Sequence, residues 1–211
     1  MPYTTNLVRV PAAGNMSLVV NAVKASFAAS ESRGFVTVPV SSATLGSQSR
    51  PGIISTLAGA QSLDDVDASQ NALMENEALQ ARLGSIDALC EKNHWVVLEV
   101  LAGPSGLDDT DFTPKVVGRT MLESKVGRSP DLLETLMTIR SKSPFDRKPV
   151  ITRPISGSVQ GLMLTDFAGS LQELKDRGDE VNKLAFEHGV PDLLATGPIR
   201  HIGRIIALNM Q

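Results

Sequence analysis

Two short acidic stretches concentrate side chains that could be reactive. Gly103-Pro104-Ser105-Gly106-Leu107-Asp108-Asp109-Thr110-Asp111 gathers three carboxylates within four residues, and Leu63 to Ser69 has already written nearly the same thing, LDDVDAS. Carboxylates at this density could hold a divalent cation. Calcium, however, takes six or more oxygens, and the helix-loop-helix calcium loop needs a Gly at its sixth position and a Glu at its twelfth. Counted from Asp109, the sixth position is Pro114, and no Glu stands at the twelfth. The expected role of both clusters is therefore local. Gly103, Pro104 and Gly106 form a turn in which Asp108, Asp109 and Asp111 bond nearby amides. In the earlier copy Asp67 or Ser69 caps a helix, and Asp64 and Asp65 favour its dipole.

Nucleophilic chemistry finds no better footing. Ser41 and Ser42 follow a short strand, but no Gly-x-Ser-x-Gly elbow surrounds them, and the three imidazoles that could activate them, His94, His188 and His201, are isolated in sequence. Cys90 falls on an apolar stripe with Leu79, Leu83 and Ile86, the place of an inert core thiol. As the chain's one cysteine it excludes an internal disulfide, and no Cys/His spacing fits zinc. No catalytic set, cofactor site or metal site is expected. Aromatic residues make up 4% of the chain, which argues against a carbohydrate or nucleotide pocket of stacked rings.

Charge is zoned. Residues 1–62 carry four bases and one acid, residues 63–111 eleven acids and two bases, and residues 112–164 nine bases and four acids. Five of those bases, Arg140, Lys142, Arg147, Lys148 and Arg153, lie close together and are the candidate subunit or anion contact. An acidic surface meeting a basic one suits association between copies of the chain. Nucleic acid is a weaker partner for the basic segment, which lacks interleaved aromatics and contains Pro144 and Pro149.

Periodicity outlines the secondary structure that carries these groups. Residues 1–62 are rich in Ser, Ala, Gly and Val, with short β-type runs at NLVRV and GFVTVPV. Pro39 demotes the second run to an edge or strand end, and Ser41 to Ser62 reads as a poorly ordered loop. A helical pattern runs from about 70 to 92, with Gly84 as a candidate kink, and a central strand over Trp95 to Leu101 follows. Ser129-Pro130-Asp131 opens a helix over 130–141 with Ser129 as its cap. KPVITRPI is a short strand, and 166–188 is helical, pausing near Gly178 and stopping at Gly189. Residues 204–210 lean to a strand. The predicted fold is mixed α/β (α+β), a small sheet packed against several helices with an extended low-charge N-terminal region. It divides into an arm or β-rich assembly segment over 1–62 and an α/β core domain over 63–211.

The order of elements around LCEKNHWVVLEVLAGPSG and LQELKDRG, with a strand ending at Ser41-Ser42, resembles the catalytic domain of the small serine recombinases. That resemblance implies a nucleic-acid-associated module. The position two before Ser41 is Pro39 where that family has an arginine, and ITRPISGSVQG offers at most Arg153 toward its arginine-rich motif. The leading expectation is a non-enzymatic structural subunit of a larger particle, such as a phage or virus capsid or tail component. It would act through contact with copies of itself and other assembly subunits. The degenerate recombinase-like module is the alternative. No apolar run approaches the about 18 residues that span a bilayer, and the N-terminus lacks the pattern of a cleaved signal. The expected location is the cytoplasm at synthesis, then a virion.

Overall fold

The computed structural model describes residues 2–30, 32–42, 52–105 and 112–209. In chain order the elements are β1 (Tyr3–Pro11), α1 (Met16–Ala29), β2 (Gly34–Ser42), β3 (Ile53–Ala60), α2 (Leu63–Glu75), α3 (Glu77–Asp87) and β4 (Cys90–Ala102). They continue with β5 (Val116–Glu123), α4 (Ser129–Lys142), β6 (Val150–Pro154), β7 (Gly161–Ala168), α5 (Leu171–Glu187), α6 (Val190–Leu193) and β8 (Ile199–Asn209). Hydrogen-bonded neighbours follow the order β1-β3-β2-β8-β5-β7-β6-β4 and close into a barrel. β1 is antiparallel to β3 and β4, β2 to β3, and β7 to β5 and β6.

This corrects the expected small sheet with an extended N-terminal region. Residues 3–60 supply three barrel strands and a helix. The physical reason lies in double-sided burial. A strand covered on both faces loses the polar alternation that marks a strand in sequence, and in β3 Ile53, Ser55 and Thr56 are all buried. The low-charge segment that reads as a loop is in part that strand.

The chain divides into two compact units, one of residues 1–40, 47–99 and 204–211 and the other of residues 41–46 and 100–203. In the first, the strand order β4-β1-β3-β2 and the run β1-α1-β2-β3-α2-α3-β4 are those of a ferredoxin-like βαββαβ motif; β8-β5-β7-β6 repeats the order in the second. Local devices repeat as well. Gly14 (φ 86°) and Gly127 (φ 78°) turn the chain just before α1 and α4, each 14 residues long. Ser62 and Ser170 accept from the backbone N–H of Asp65 and Glu173 to cap α2 and α5. The LDDxD echo does not mark this repeat: one copy opens α2, while Asp108, Asp109 and Asp111 lie outside the described residues.

Within the first unit, Val19, Val23 and Phe27 of α1 pack with Val36 of β2, Ile53 of β3 and Ile86 of α3. The other face of that sheet carries Asn6, whose Oδ1 accepts from Thr56 Oγ1 at 2.8 Å in a buried bond. In the second unit, Leu132, Leu136 and Ile139 of α4 pack on Leu122, Ile151 and Leu162, with Val190, Leu193 and Leu194 closing the cluster.

Several local expectations shift. The single helix over 70–92 is two, α2 and α3, broken at Asn76, whose side chain accepts from Leu79 N–H and starts a new helix. The break is there, while Gly84 sits undisturbed within α3. Cys90 leaves the helical stripe and begins β4. Asp67 and Ser69 lie inside α2, and its cap is Ser62 with Asp65. Thr165 to Phe167 belong to β7, and α5 starts at Leu171 and continues through Gly178. Gly189 does stand just past its end, at φ 70°. The helix over 130–141 is α4, with Arg128 as N-cap in place of Ser129. Strands form at both KPVITRPI and the C-terminal segment.

Candidate functional site

Alternation along β1 puts Tyr3, Thr5, Leu7 and Arg9 on one face of the first unit's sheet. Register extends that face sideways. Leu7 lies opposite Ser55 on β3 and Trp95 on β4, Thr5 opposite Leu57 and Val97, and Arg9 opposite Ile53 and Asn93. Val23 and Phe27 of α1, Val66 of α2 and Leu79 and Leu83 of α3 stand over it, and a cavity of about 350 Å³ is left among them. That volume is at the lower end for small-molecule sites. Space remains because small side chains, Ser26, Ser30, Ser55 and Ala58, occupy part of the wall. Trp95, 43% exposed, borders the opening.

In the second unit the matching positions lie among packed and paired side chains. With Gly14 matched to Gly127, the pair Arg9/Ile53 corresponds to Leu122/Leu162, Leu7/Ser55 to Thr120/Leu164, and Thr5/Leu57 to Gly118/Asp166. Leu122 and Leu162 are core residues there. Asp166 is tied to Arg177, Arg147 pairs with Glu173 and lies 3.9 Å over the Phe112 ring, and Arg200 packs against Gly118 and Gly178. One motif of the repeat thus encloses a cavity and the other a packed core with ion pairs.

Arg9 is the most unusual group on the cavity wall. Its side chain is 3% exposed, its Nε donates to Asp87 Oδ1 at 2.7 Å, and its Nη2 is buried with no hydrogen-bond partner. The charged residues of the lining are Arg9 and Arg33, both cations. Next to this pair, burial pushes the Cys90 thiol above its ordinary value, Arg9 opposes, and Asp87 adds to the rise.

The residues singled out from the sequence stand elsewhere. Arg140 donates to the Pro149 and Gly103 carbonyls at 3.0 and 2.6 Å, Lys148 Nζ to the Ser143 carbonyl at 2.6 Å, and Lys142 Nζ lies 3.3 Å from His188 Nε2. Arg147 is in the pair with Glu173, and Arg153 is in β6. All five belong to the second unit. His94 is exposed on β4, opposite Val8. His201 on β8 is held below its ordinary value by burial and by the Arg119 charge. Arg119 is itself buried, and desolvation lowers it to about 10. Among the described residues no group of three or more His, Cys, Asp or Glu could hold a metal.

Arg9, Trp95 and Asp87 are what sequence reasoning missed. One signal was present: in NLVRV the arginine falls in phase with Leu7, so burial of Leu7 carries Arg9 to the same face.

No family model and no curated protein matches the sequence. Solved structures do match the fold. A candidate monooxygenase from Fusobacterium nucleatum subsp. nucleatum ATCC 25586 has a TM-score of 0.73 at 10% identity, covering 99% of this chain and 94% of that one. An anthrone oxidase-like protein has a TM-score of 0.62 at 12% identity, with coverages of 99% and 92%. A candidate monooxygenase from Lactobacillus acidophilus NCFM has a TM-score of 0.61 at 9% identity, with coverages of 97% and 93%. At these identities the likeness is one of fold.

It overturns the expected phage or virion structural subunit: over nearly its whole length the chain has a fold carried by proteins with enzyme names. Of the acids in the acidic zone, Asp64 and Asp65 fill the first turn of α2, those of α2 and Glu77 of α3 are exposed, and Asp87 is paired with Arg9. The recombinase-like alternative falls with it. Its strand after the helix is β4, antiparallel to β1 in this barrel, and its LQELKDRG segment is the start of α5. Among the described residues no helix is long and apolar enough to cross a membrane.

Proposed function

We propose that the chain is a small oxygenase-type enzyme whose substrate, a compact and largely apolar ring compound, binds in the cavity of the first unit. The cavity is the observation that carries this reading: about 350 Å³ between a sheet face and its helices, bounded by aliphatic and aromatic side chains with scattered hydroxyls. The names of the structural neighbours support the reaction class. In such a reaction a ring CH2 group opposite a carbonyl becomes a second carbonyl: anthrone plus dioxygen gives anthraquinone plus water. One oxygen atom enters the product, the other leaves as water, and the substrate supplies the electrons.

Trp95 is the chain's one tryptophan and borders the opening, so it reports occupancy. Anthrone titrated into the protein under nitrogen is expected to change Trp95 emission saturably at one equivalent, and to lose this in Ser55→Phe, which fills the wall beside Leu7. Admitting air is expected to give oxygen uptake above the buffer rate in the wild type alone. Emission that responds identically in both proteins would end the binding reading, and binding without oxygen uptake would end the reaction class.

A further inference from the structure

A buried guanidinium N–H without a partner is costly, because the charge has lost water and gained nothing in return. Such groups call for a specific explanation. Three atoms of this kind occur among the described arginines: Arg9 Nη2, Arg147 Nε and Arg200 Nε. The last two lie in filled space, Arg147 against Glu173 and Phe112 and Arg200 between Gly118 and Gly178. Arg9 is different, since it lines the cavity.

We propose that Arg9 receives an anionic oxygen of the ligand, so that the substrate class is an apolar ring compound bearing an enolate, phenolate or carboxylate. This deepens the reading above and rests on it. Three independent features converge. First, Asp87 occupies Nε and fixes the plane of the guanidinium, and the buried Nη2 is left without a partner. Second, Asp87 is 30% exposed and Arg9 is 3% exposed, so water screens the carboxylate more than the cation and the buried charge is incompletely balanced. Third, the lining holds cations and no carboxylate, so the one acid an anion at Arg9 meets is the more exposed Asp87.

The rows of the sheet give the pose its polarity. Arg9 and Trp95 lie on adjacent rows of one face, since Leu7 next to Arg9 on that face is opposite Trp95. A flat ring can therefore lie over Leu7 while its oxygen reaches Arg9. In an oxidation that draws electrons from the substrate, the enolate or phenolate is the electron-rich form, and Arg9 would stabilise it. Arg9 would do so without being a base, because a guanidinium stays protonated.

The experiment compares 2-naphthoate with its neutral counterpart 2-naphthamide, titrated separately against Trp95 emission in the full chain. Wild type is expected to bind the acid at least tenfold tighter. Arg9→Met/Asp87→Asn, which removes the pair together and leaves no uncompensated carboxylate, is expected to bind both equally. Arg9→Lys, which keeps the charge but not the fork, is expected to retain part of the preference, and Arg33→Gln most of it. Equal wild-type affinity for the two probes would overturn the assignment to an anion while leaving the pocket standing. A preference that survives in the double variant would overturn the assignment to Arg9. Should the double variant fail to fold, full retention of the preference in Arg9→Lys together with its loss in Arg33→Gln would move the role to Arg33. Binding of neither probe, with anthrone also silent, would remove the pocket reading itself.

Discussion

Arg177 grips Asp166 with two bonds, Nη2 to Oδ1 at 2.5 Å and Nε to Oδ2 at 3.2 Å, and joins α5 to β7 in the second unit. The same guanidinium donates to the Arg147 carbonyl at 2.7 Å and stands 4.9 Å from the Phe145 ring centre. With side chains 5% and 16% exposed, Arg177 is buried and Asp166 largely so, and the value of the pair depends on both partners being present. Asp166→Ala should cost about 3 kcal/mol by leaving a buried cation alone. Arg177→Met/Asp166→Leu should recover most of that. Urea unfolding of the three proteins measures both, and a loss below about 1 kcal/mol in Asp166→Ala would place the pair among weak surface bridges.

Gly34 is irreplaceable for a different reason. A methyl group there would stand 1.9 Å from the Thr56 carbonyl oxygen, at a φ of 141° that side chains avoid. Gly59 shares the positive φ, 119°, but has nothing within 4 Å. Gly34→Ala should therefore destabilise by about 3 kcal/mol or more, and Gly59→Ala by about 1 to 2 kcal/mol from backbone strain alone. Equal melting-temperature losses would mean that β2 can move away from β3.

Acid sensitivity should come in two windows. His201 is depressed below its ordinary 6.5 by burial, then by Arg119. Its contribution to stability is thus present above 6.5 and lost as pH falls through the lower folded value. Burial pushes Glu173 upward, but the Gly169 N–H and Arg147 outweigh it and hold the carboxyl below its ordinary 4.5. That stability is present above 4.5 and lost below it. Unfolding free energies measured from pH 8 to pH 3 should show both slopes, with His201→Gln flattening the upper and Glu173→Gln the lower. An unchanged upper slope in His201→Gln would assign it to another group.

Ser170 caps α5 through a 3.1 Å bond from Glu173 N–H. Ser170→Ala should cost about 1 kcal/mol and speed hydrogen exchange at the first-turn amides, Glu173 above all. Exchange unchanged at Glu173 would show that its own side chain, bonded to Gly169 N–H at 2.8 Å, suffices as a cap.

Local signals were legible where the code is local. Ser129-Pro130-Asp131 announces α4 and Gly189 the end of α5, because a proline's fixed φ and a glycine's left-handed freedom act within a turn. Leu132 and Leu136 mark the buried side of α4 by spacing alone. Thr165-Asp166 misleads for the same local reason. It looks like a helix start, yet Asp166 is drawn into β7, where its acid is matched by Arg177 eleven residues on in the chain.

The order of residues therefore carries a set of short-range instructions: caps, turns, stripes and the exclusion of an internal disulfide. Tertiary structure alone decided that two βαββαβ motifs with no evident internal repeat share one strand order. It alone decided that Arg9 meets Asp87, 78 positions away in the chain, and that Ser55, Leu7 and Trp95 form one row of a cavity wall. Strand pairing explains this division. Side-chain types set which face of each strand is buried, but which strand lies beside it is settled only when the helices have covered that face, so a site assembled across three strands leaves no spacing in the sequence to read.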